Sequence, residues 1–195
     1  MSGVRGETFS ELLPYPSNPL LRWLFKSPIF LWRLGLGLVV GRLFMIVTTT
    51  GRKSGLPRPT AIEFHEYKGR KYVYCAWGDK ADWYKNILAD PRVTIQTASG
   101  MEHVIARRVT ADRELAETFD FVAHNPAMQR WIRTLGFRLS LGEFLAHKDR
   151  FYLMTFDPTD KPTPPPLEAD LKWVWLVIVA SALIAYSFLG FASGL

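Results

Sequence analysis

A single cysteine, Cys75, stands in 195 residues. That excludes an internal disulfide framework and fits a reducing compartment, with Cys75 read as a small buried apolar residue of a strand. Histidine is nearly as sparse. His65, His103, His124 and His147 show no paired ligand spacing, so no metal site is expected. The chain also lacks a Gly-x-Ser-x-Gly elbow, a His-Glu-x-x-His pair and a Walker loop, and Gly35-x-Gly37 lies in a helical stretch instead of following a strand. These absences exclude the commonest hydrolase, metalloprotease, nucleotide-phosphate and dinucleotide sites. No basic start with an apolar region and cleavage site opens the chain, so the mature protein is expected to keep its N-terminus. Charge is missing from the other end: nothing after Lys172 is charged.

What is present is basic and apolar in separate places. The formal net charge is +6 and 48% of residues are apolar, enough for one globular core with a stretch to spare. Such a charge fits nucleic acid, an anionic membrane surface or a phosphorylated ligand, and the placement of the cations decides among them. They gather on the N-terminal helices and on one turn, with an apolar run elsewhere in the chain, so no nucleic-acid partner is expected.

The turn is Thr48-Thr49-Thr50-Gly51-Arg52-Lys53-Ser54-Gly55-Leu56-Pro57-Arg58. A β-branched run, residues 43–47, enters it and a second strand-like run, residues 60–67, leaves it, which predicts a hairpin carrying three cations. Gly51 and Gly55 can take positive φ, and amides freed by such a turn, backed by Arg52, Lys53 and Arg58, make a donor set for an oligoanion. A solvated basic loop is the competing reading on these residues alone.

Around the turn the periodicity builds a small α+β domain. Residues 18–26 form a basic, aromatic, amphipathic helix with Arg22 and Lys26 four apart, and Ser27-Pro28 reads as the cap and first position of a second helix running toward Arg42. Both are expected to lie in a membrane interface or to pack on the domain. The spacing then predicts strands over 60–67, 71–77, 93–97, 102–109 and 151–156, a short helix over 81–88, a helix from Ala111 to Ala123 and a further amphipathic piece to about Leu135. Hairpin turns join most neighbours, so an antiparallel barrel with helices at its ends is favoured.

Residues 157–166 are rich in proline and read as an extended spacer. Beyond them, residues 173–191 are an uncharged run of nineteen, about 28 Å as a helix, close to a hydrocarbon core of roughly 30 Å, which predicts a transmembrane helix. The expected organisation is interfacial helices over 1–42, a barrel over 43–156, a linker over 157–170 and a membrane helix over 171–195. Lys172 before the run places the barrel on the cytoplasmic side of the membrane in a single-pass topology.

Residues 31–156, through the turn above and through Asp82-Trp83-Tyr84-Lys85-Asn86-Ile87 with Pro91, Val93, Ile95 and Gln96, resemble the deazaflavin-dependent nitroreductase and quinone reductase family. The resemblance implies a split β-barrel of the flavin-binding type, with coenzyme F420 as cofactor and FMN as the alternative. It places the cofactor phosphate on Arg52, Lys53, Ser54, Gly55 and Arg58, with Lys80 assisting; Trp77, closing the third strand, is read either as a cofactor contact at the ring system or as packing under it. The implied activity is hydride transfer from reduced F420 to a lipid-soluble acceptor such as a quinone or nitro compound. A membrane-tethered protein that binds a flavin, F420 or a lipid ligand without turnover is the alternative, and either is compatible with a homodimer. The family's substrate tyrosines have no counterpart, since residues 112–150 contain no tyrosine. The identity of the acceptor therefore does not carry over.

Overall fold

The structure is a computed structural model that describes residues 18–75, 77–124, 129, 140–146, 148–150 and 152–192. Its centre is a closed antiparallel barrel. Strands β1 (Phe44–Thr50), β2 (Pro57–Tyr67), β3 (Arg70–Tyr74), β4 (Arg92–Thr97), β5 (Gly100–Arg108) and β6 (Leu153–Pro158) close in the order β1-β2-β3-β6-β5-β4. Alternation decides the two faces. Met45, Val47, Val73, Val93, Ile95, Val104, Ala106, Met154 and Phe156 point into one core, and the helix α3 (Asp82–Ala89) adds Trp83, Tyr84 and Ile87 to it. On the other side Tyr72 and Leu153, which alternate with Val73 and Met154, pack with Val109, Leu115 of α4 (Asp112–His124) and Phe144 of α5 (Leu141–Ala146). The expected strands and the two helices over 81–88 and 111–123 are thus in place. The amphipathic piece expected to about Leu135 lies outside the described residues.

The N-terminal helices depart from expectation at Pro28. Helix α1 (Pro19–Leu31) runs through it, and Pro28 is buried inside the helix instead of starting a new one. An interior proline costs roughly 3 kcal/mol, and here α1 packs on β2, so tertiary burial offsets the loss. The break comes later, in a π turn (Trp32–Leu36) where Gly35 adopts φ +88°, a left-handed conformation natural only to glycine. The short α2 (Gly37–Val40) follows, and Gly41 lies against Thr97 and Ala98 of the barrel, its carbonyl accepting from the Ala98 amide at 2.9 Å. Its glycine therefore serves packing on the domain. Trp32 and Val40 are buried, whereas Trp23, Phe25, Phe30, Leu38 and Val39 are exposed.

The proline-rich segment is not a spacer. It runs as a strap over the outer face of β4 and β5, where Thr94 and Gln96 alternate with the inward Val93 and Ile95. Gln96 donates to the Leu167 carbonyl at 3.1 Å and accepts from the Leu167 amide at 2.7 Å; Thr94 meets Thr163 at 2.6 Å and donates to the Pro164 carbonyl. His103 completes the seam by a ring contact to Thr163 and by its carbonyl, which accepts from the Thr159 amide at 3.0 Å. An extended proline-rich backbone pairs with nothing of its own. Its polar groups were open to side chains of the barrel, and this is what turns a linker into a strap.

After the strap, α6 (Val174–Ala192) is a helix as expected, and every residue from 175 to 186 is exposed. A transmembrane helix is not what the structure shows. Among the described residues no helix is long and apolar enough to cross a membrane.

Two expectations follow. Gln96→Leu leaves the amide and carbonyl of Leu167 without their partner, which should lower stability by about 2 kcal/mol and raise amide hydrogen exchange across residues 159–171. An unchanged exchange pattern there would show the strap to be held by something else. The second concerns Cys75, which is 1% exposed and whose thiol burial pushes up to about 12. Since the folded pKa lies above the ordinary value near 9, the thiol stays protonated in the fold where an unfolded chain would ionise, so its contribution to stability falls as pH rises from about 9 towards 12. Iodoacetamide at pH 8 should label Cys75 only after denaturation; prompt labelling of native protein would contradict its place in the core.

Candidate functional site

The basic turn keeps its shape by spending its own donors. The Gly51 amide bonds the Leu56 carbonyl at 2.9 Å, the Ser54 and Gly55 amides bond the Gly51 carbonyl at 3.1 and 2.7 Å, and the Leu56 amide bonds Ser54 Oγ at 3.3 Å. Gly55, at φ +68°, makes the reversal. Arg52 leaves the turn and bridges to α3. Its amide and its Nη1 both donate to Asn86 Oδ1, at 3.2 and 3.0 Å, and its Nη2 donates to Asp82 Oδ1 at 2.9 Å. Asn86 is 5% exposed, and its Nδ2 donates to Thr49 Oγ1 at 3.0 Å, so one buried amide joins β1, the turn and α3.

This arrangement redistributes the roles expected of the turn. Amides free to bind an anion were expected, and those of Gly51, Arg52, Ser54, Gly55 and Leu56 are all engaged. Arg52 is a brace. The cations left to face a ligand are Lys53, exposed, and Arg58, exposed with Nη2 donating to Ser54 Oγ at 3.3 Å. Ser54 is therefore occupied in orienting Arg58 and in closing the turn. Asn86, which the sequence alone marks only as part of an aromatic helix motif, is the residue that organises the site.

The second expected group lies on the chain just before α3. Trp77 ends the third strand region, a 3-10 turn (Gly78–Lys80) follows, and Ala81 leads to Asp82, the partner of Arg52. The Arg52–Asp82 bridge thus brings the segment carrying Lys80 to the basic turn. Trp77 is half-buried against the barrel core, and Phe25 of α1 meets it edge-on at 5.6 Å, so the N-terminal helix roofs this segment. Beneath it Tyr152 packs on Gly78, makes an edge contact with Tyr84 at 5.3 Å, and carries the Arg108 guanidinium at 4.3 Å from its ring. Burial pushes the Tyr152 phenol up from its ordinary value near 10. Sequence reading missed this phenol. It stands two residues beyond the tyrosine-free stretch, and only the register of β6 on β3 brings it under the 77–80 segment: the Cys75 amide donates to the Tyr152 carbonyl at 3.0 Å.

Another concave region, of about 460 Å³, is lined by Arg70, Tyr72, Arg107, Ala111, Arg113, Glu114 and Glu117. Its charges are already matched. Arg107 bonds Glu114 and Asp157 at 2.6 to 2.9 Å, Arg70 approaches the same two carboxylates at 3.6 Å, and Arg113 pairs with Glu117. It ties β3, β5, β6 and α4 together and offers an anion no uncompensated cation. Among the described residues no group of acids, histidines and cysteine is placed to hold a metal.

Removing the brace should be felt twice. Asn86→Ala removes the donor to the Thr49 hydroxyl, which keeps its own bond to the Arg58 carbonyl, and unties Arg52, at a cost of about 3 kcal/mol in urea unfolding. Arg52→Ala, which removes an exposed-side bridge and leaves Asn86 bonded to Thr49, should cost about 1 kcal/mol. A larger loss for Arg52→Ala than for Asn86→Ala would reverse the assignment of which residue holds which.

Known proteins place this geometry in a family. Among solved structures the chain is similar to an F420-H2 dependent reductase, at 18% identity and TM-score 0.35 over 60% of this chain and 95% of that one. It is similar also to a nimC/nimA family protein from Clostridium acetobutylicum, at 12% identity and TM-score 0.37 over 70% and 92%. A conserved hypothetical protein from Mycobacterium tuberculosis matches at 16% identity and TM-score 0.37 over 65% and 79%. These likenesses are too distant to argue from. The family model for F420H(2)-dependent quinone reductase, however, matches residues 34–134, more than half of the chain, including the turn, its brace and α3. The chain belongs to the F420H(2)-dependent quinone reductase family and is a deazaflavin-dependent oxidoreductase.

Proposed function

We propose that this protein transfers hydride between coenzyme F420 and a lipid-soluble acceptor of the quinone or nitro-compound type, at the cytoplasmic face of a membrane to which it is anchored. The observation that carries the cofactor side is the pair Lys53 and Arg58, two exposed cations on a turn whose backbone is locked by Asn86 and Arg52. Their chemistry fits an oligoanion such as the phosphodiester and polyglutamate portion of F420. Fixed cations bind a flexible anion better than mobile ones, because less ordering entropy is lost on binding. When bound, the reduced deazaflavin supplies the hydride. The chain's own part is to hold and orient: Lys53 and Arg58 by charge, with Lys80 at the adjoining turn, and Trp77 by apolar contact under its Phe25 roof. Among the described residues no general acid stands in the site apart from the Tyr152 phenol beside Gly78.

The membrane side of the proposal rests on α6. A helix without a charged residue, exposed over all of residues 175–186, leaves its apolar surface uncovered by the barrel. In water that exposure opposes folding at about 25 cal/mol per Å²; in lipid it drives insertion. Lys172 at its start and the absence of any later charge favour a cytoplasmic barrel.

Fluorescence titration with F420 tests the cradle. Lys53→Ala and Arg58→Ala should each weaken binding by about 1.5 to 3 kcal/mol at unchanged stability, the worth of a charge-assisted hydrogen bond, whereas FMN titrated in parallel should bind more weakly than F420. Equal affinity of both variants and wild type would remove the turn from the cofactor site. Turnover of a quinone by the loaded protein would separate a reductase from a protein that merely holds its ligand. For placement, protease added to intact spheroplasts should spare the barrel; digestion of the barrel would overturn the cytoplasmic placement.

A further inference from the structure

The N-terminal and C-terminal helices meet at one joint, and the joint is built from the kink in the first of them. A π turn ending in a left-handed Gly35 takes the carbonyls of Arg33 and Leu34 out of regular helical pairing. Both are taken up by the chain at the base of α6. The Arg33 carbonyl accepts from the Leu171 amide at 2.9 Å, and the Leu34 carbonyl accepts from Trp175 Nε1 at 2.8 Å. The Arg33 guanidinium closes the joint in a two-pronged bond to Asp170, Nε to Oδ1 at 2.7 Å and Nη2 to Oδ2 at 2.6 Å. The Lys172 stem lies across Gly35. Four contacts between segments some 140 residues apart, preceded by a strap pinned to β4, make α6 and the barrel a jointed but stiff unit.

The surface around this joint is of one kind. Leu38, Val39, Leu43, Phe30 and Trp173 are each at least half exposed, and the exposed charges among them are Lys26, Arg42 and Lys172. Of the acids at the joint, Asp170 is neutralised by Arg33, and the exposed Glu168 stands against the three exposed cations, so the surface keeps a positive excess. The sequence extends the bias: from residue 12 to residue 62 there are seven lysines and arginines and no acid. Exposed aromatic and aliphatic side chains with cations among them, next to an apolar helix, match the chemistry of the headgroup layer of an anionic bilayer.

We propose that the joint between the kinked N-terminal helix and the base of α6, clamped by Arg33 and Asp170, is a contact surface for anionic lipid that holds the barrel in one orientation on the bilayer. Since α1 also roofs Trp77 through Phe25, a barrel seated this way presents the cofactor segment at the lipid boundary, where an apolar acceptor is concentrated. The proposal rests on the membrane reading of α6 and is independent of the reductase reading.

The test needs neither cofactor nor acceptor. Full-length protein carrying Leu38→Cys, or Arg113→Cys on the exposed face of α4 as a control, is labelled with an environment-sensitive maleimide dye; the buried Cys75 stays unlabelled. Each is reconstituted into lipid nanodiscs of phosphatidylcholine with or without phosphatidylglycerol, and iodide quenching is measured. In discs with phosphatidylglycerol the dye at position 38 should be quenched at least about threefold less than at position 113, and the protection should shrink without the anionic lipid. Asp170→Asn should return position 38 towards the control value while the protein stays in the disc, and the charge swap Arg33→Asp with Asp170→Arg should restore protection. Equal quenching at both positions, or protection indifferent to lipid charge, overturns the surface; protection unaffected by Asp170→Asn overturns the clamp. Failure of wild-type protein to enter discs at all overturns this proposal together with the membrane reading, whereas quenching like the control in a protein that does enter leaves the anchor standing and removes only the joint.

Discussion

The site depends on one buried side-chain amide. Asn86 accepts two hydrogen bonds from Arg52 and gives one to Thr49, so a residue of α3 fixes both the end of β1 and the start of the basic turn. A buried amide that lost these partners would carry its full desolvation cost. The arrangement is therefore all or none. With it in place Arg52 is withdrawn from ligand binding, Asp82 is drawn to the turn, and Lys53 and Arg58 are left as the cations that face outward. The proposed anion site is a consequence of where Arg52 is not.

The barrel meets a second constraint on its outer face. β1 and β4 pair with each other, and their outward residues Ile46, Thr48, Thr94 and Gln96 are all buried. Threonine and glutamine there need partners, and the proline-rich strap has carbonyls and an amide that no ladder uses. The strap thereby serves two ends. It satisfies the polar face of β4, and it delivers Asp170 and Leu171 to the kink in the N-terminal helix.

Charge and apolar surface then divide the molecule. Acids and bases are interlocked on the side of α4, where Arg70, Arg107, Glu114 and Asp157 form one network. Its hydrogen bonds to Glu114 and Asp157 raise the Arg107 guanidinium above its ordinary range, against the opposing effect of its burial. The opposite character prevails from α1 to the basic turn, where cations stand without acids in the sequence. The proposed oligoanionic cofactor and lipid-soluble acceptor would call for a positive region with an apolar one beside it.

Much of this was legible in the residues by themselves. Alternation marked the strand over 60–67, β-branched and aromatic runs bounded by turns marked the others, and the Gly-Arg-Lys-Ser-Gly turn announced itself by composition. The uncharged run near the C-terminus was equally plain, although its relation to lipid is a property of the solvent around it and not of the chain alone. What the sequence could not decide was pairing between distant segments. Nothing in residues 157–166 tells whether their backbone faces water or Gln96, and nothing near Arg33 points to Asp170, 137 positions away. Pro28 looked like a helix start because local rules know nothing of the face that β2 buries. Arg52, Lys53 and Arg58 looked alike as three cations on one loop; only the packing of α3 against the end of β1 made the first a brace and left the other two facing outward, because a guanidinium's role is set by the nearest acceptors and those lie thirty residues further on.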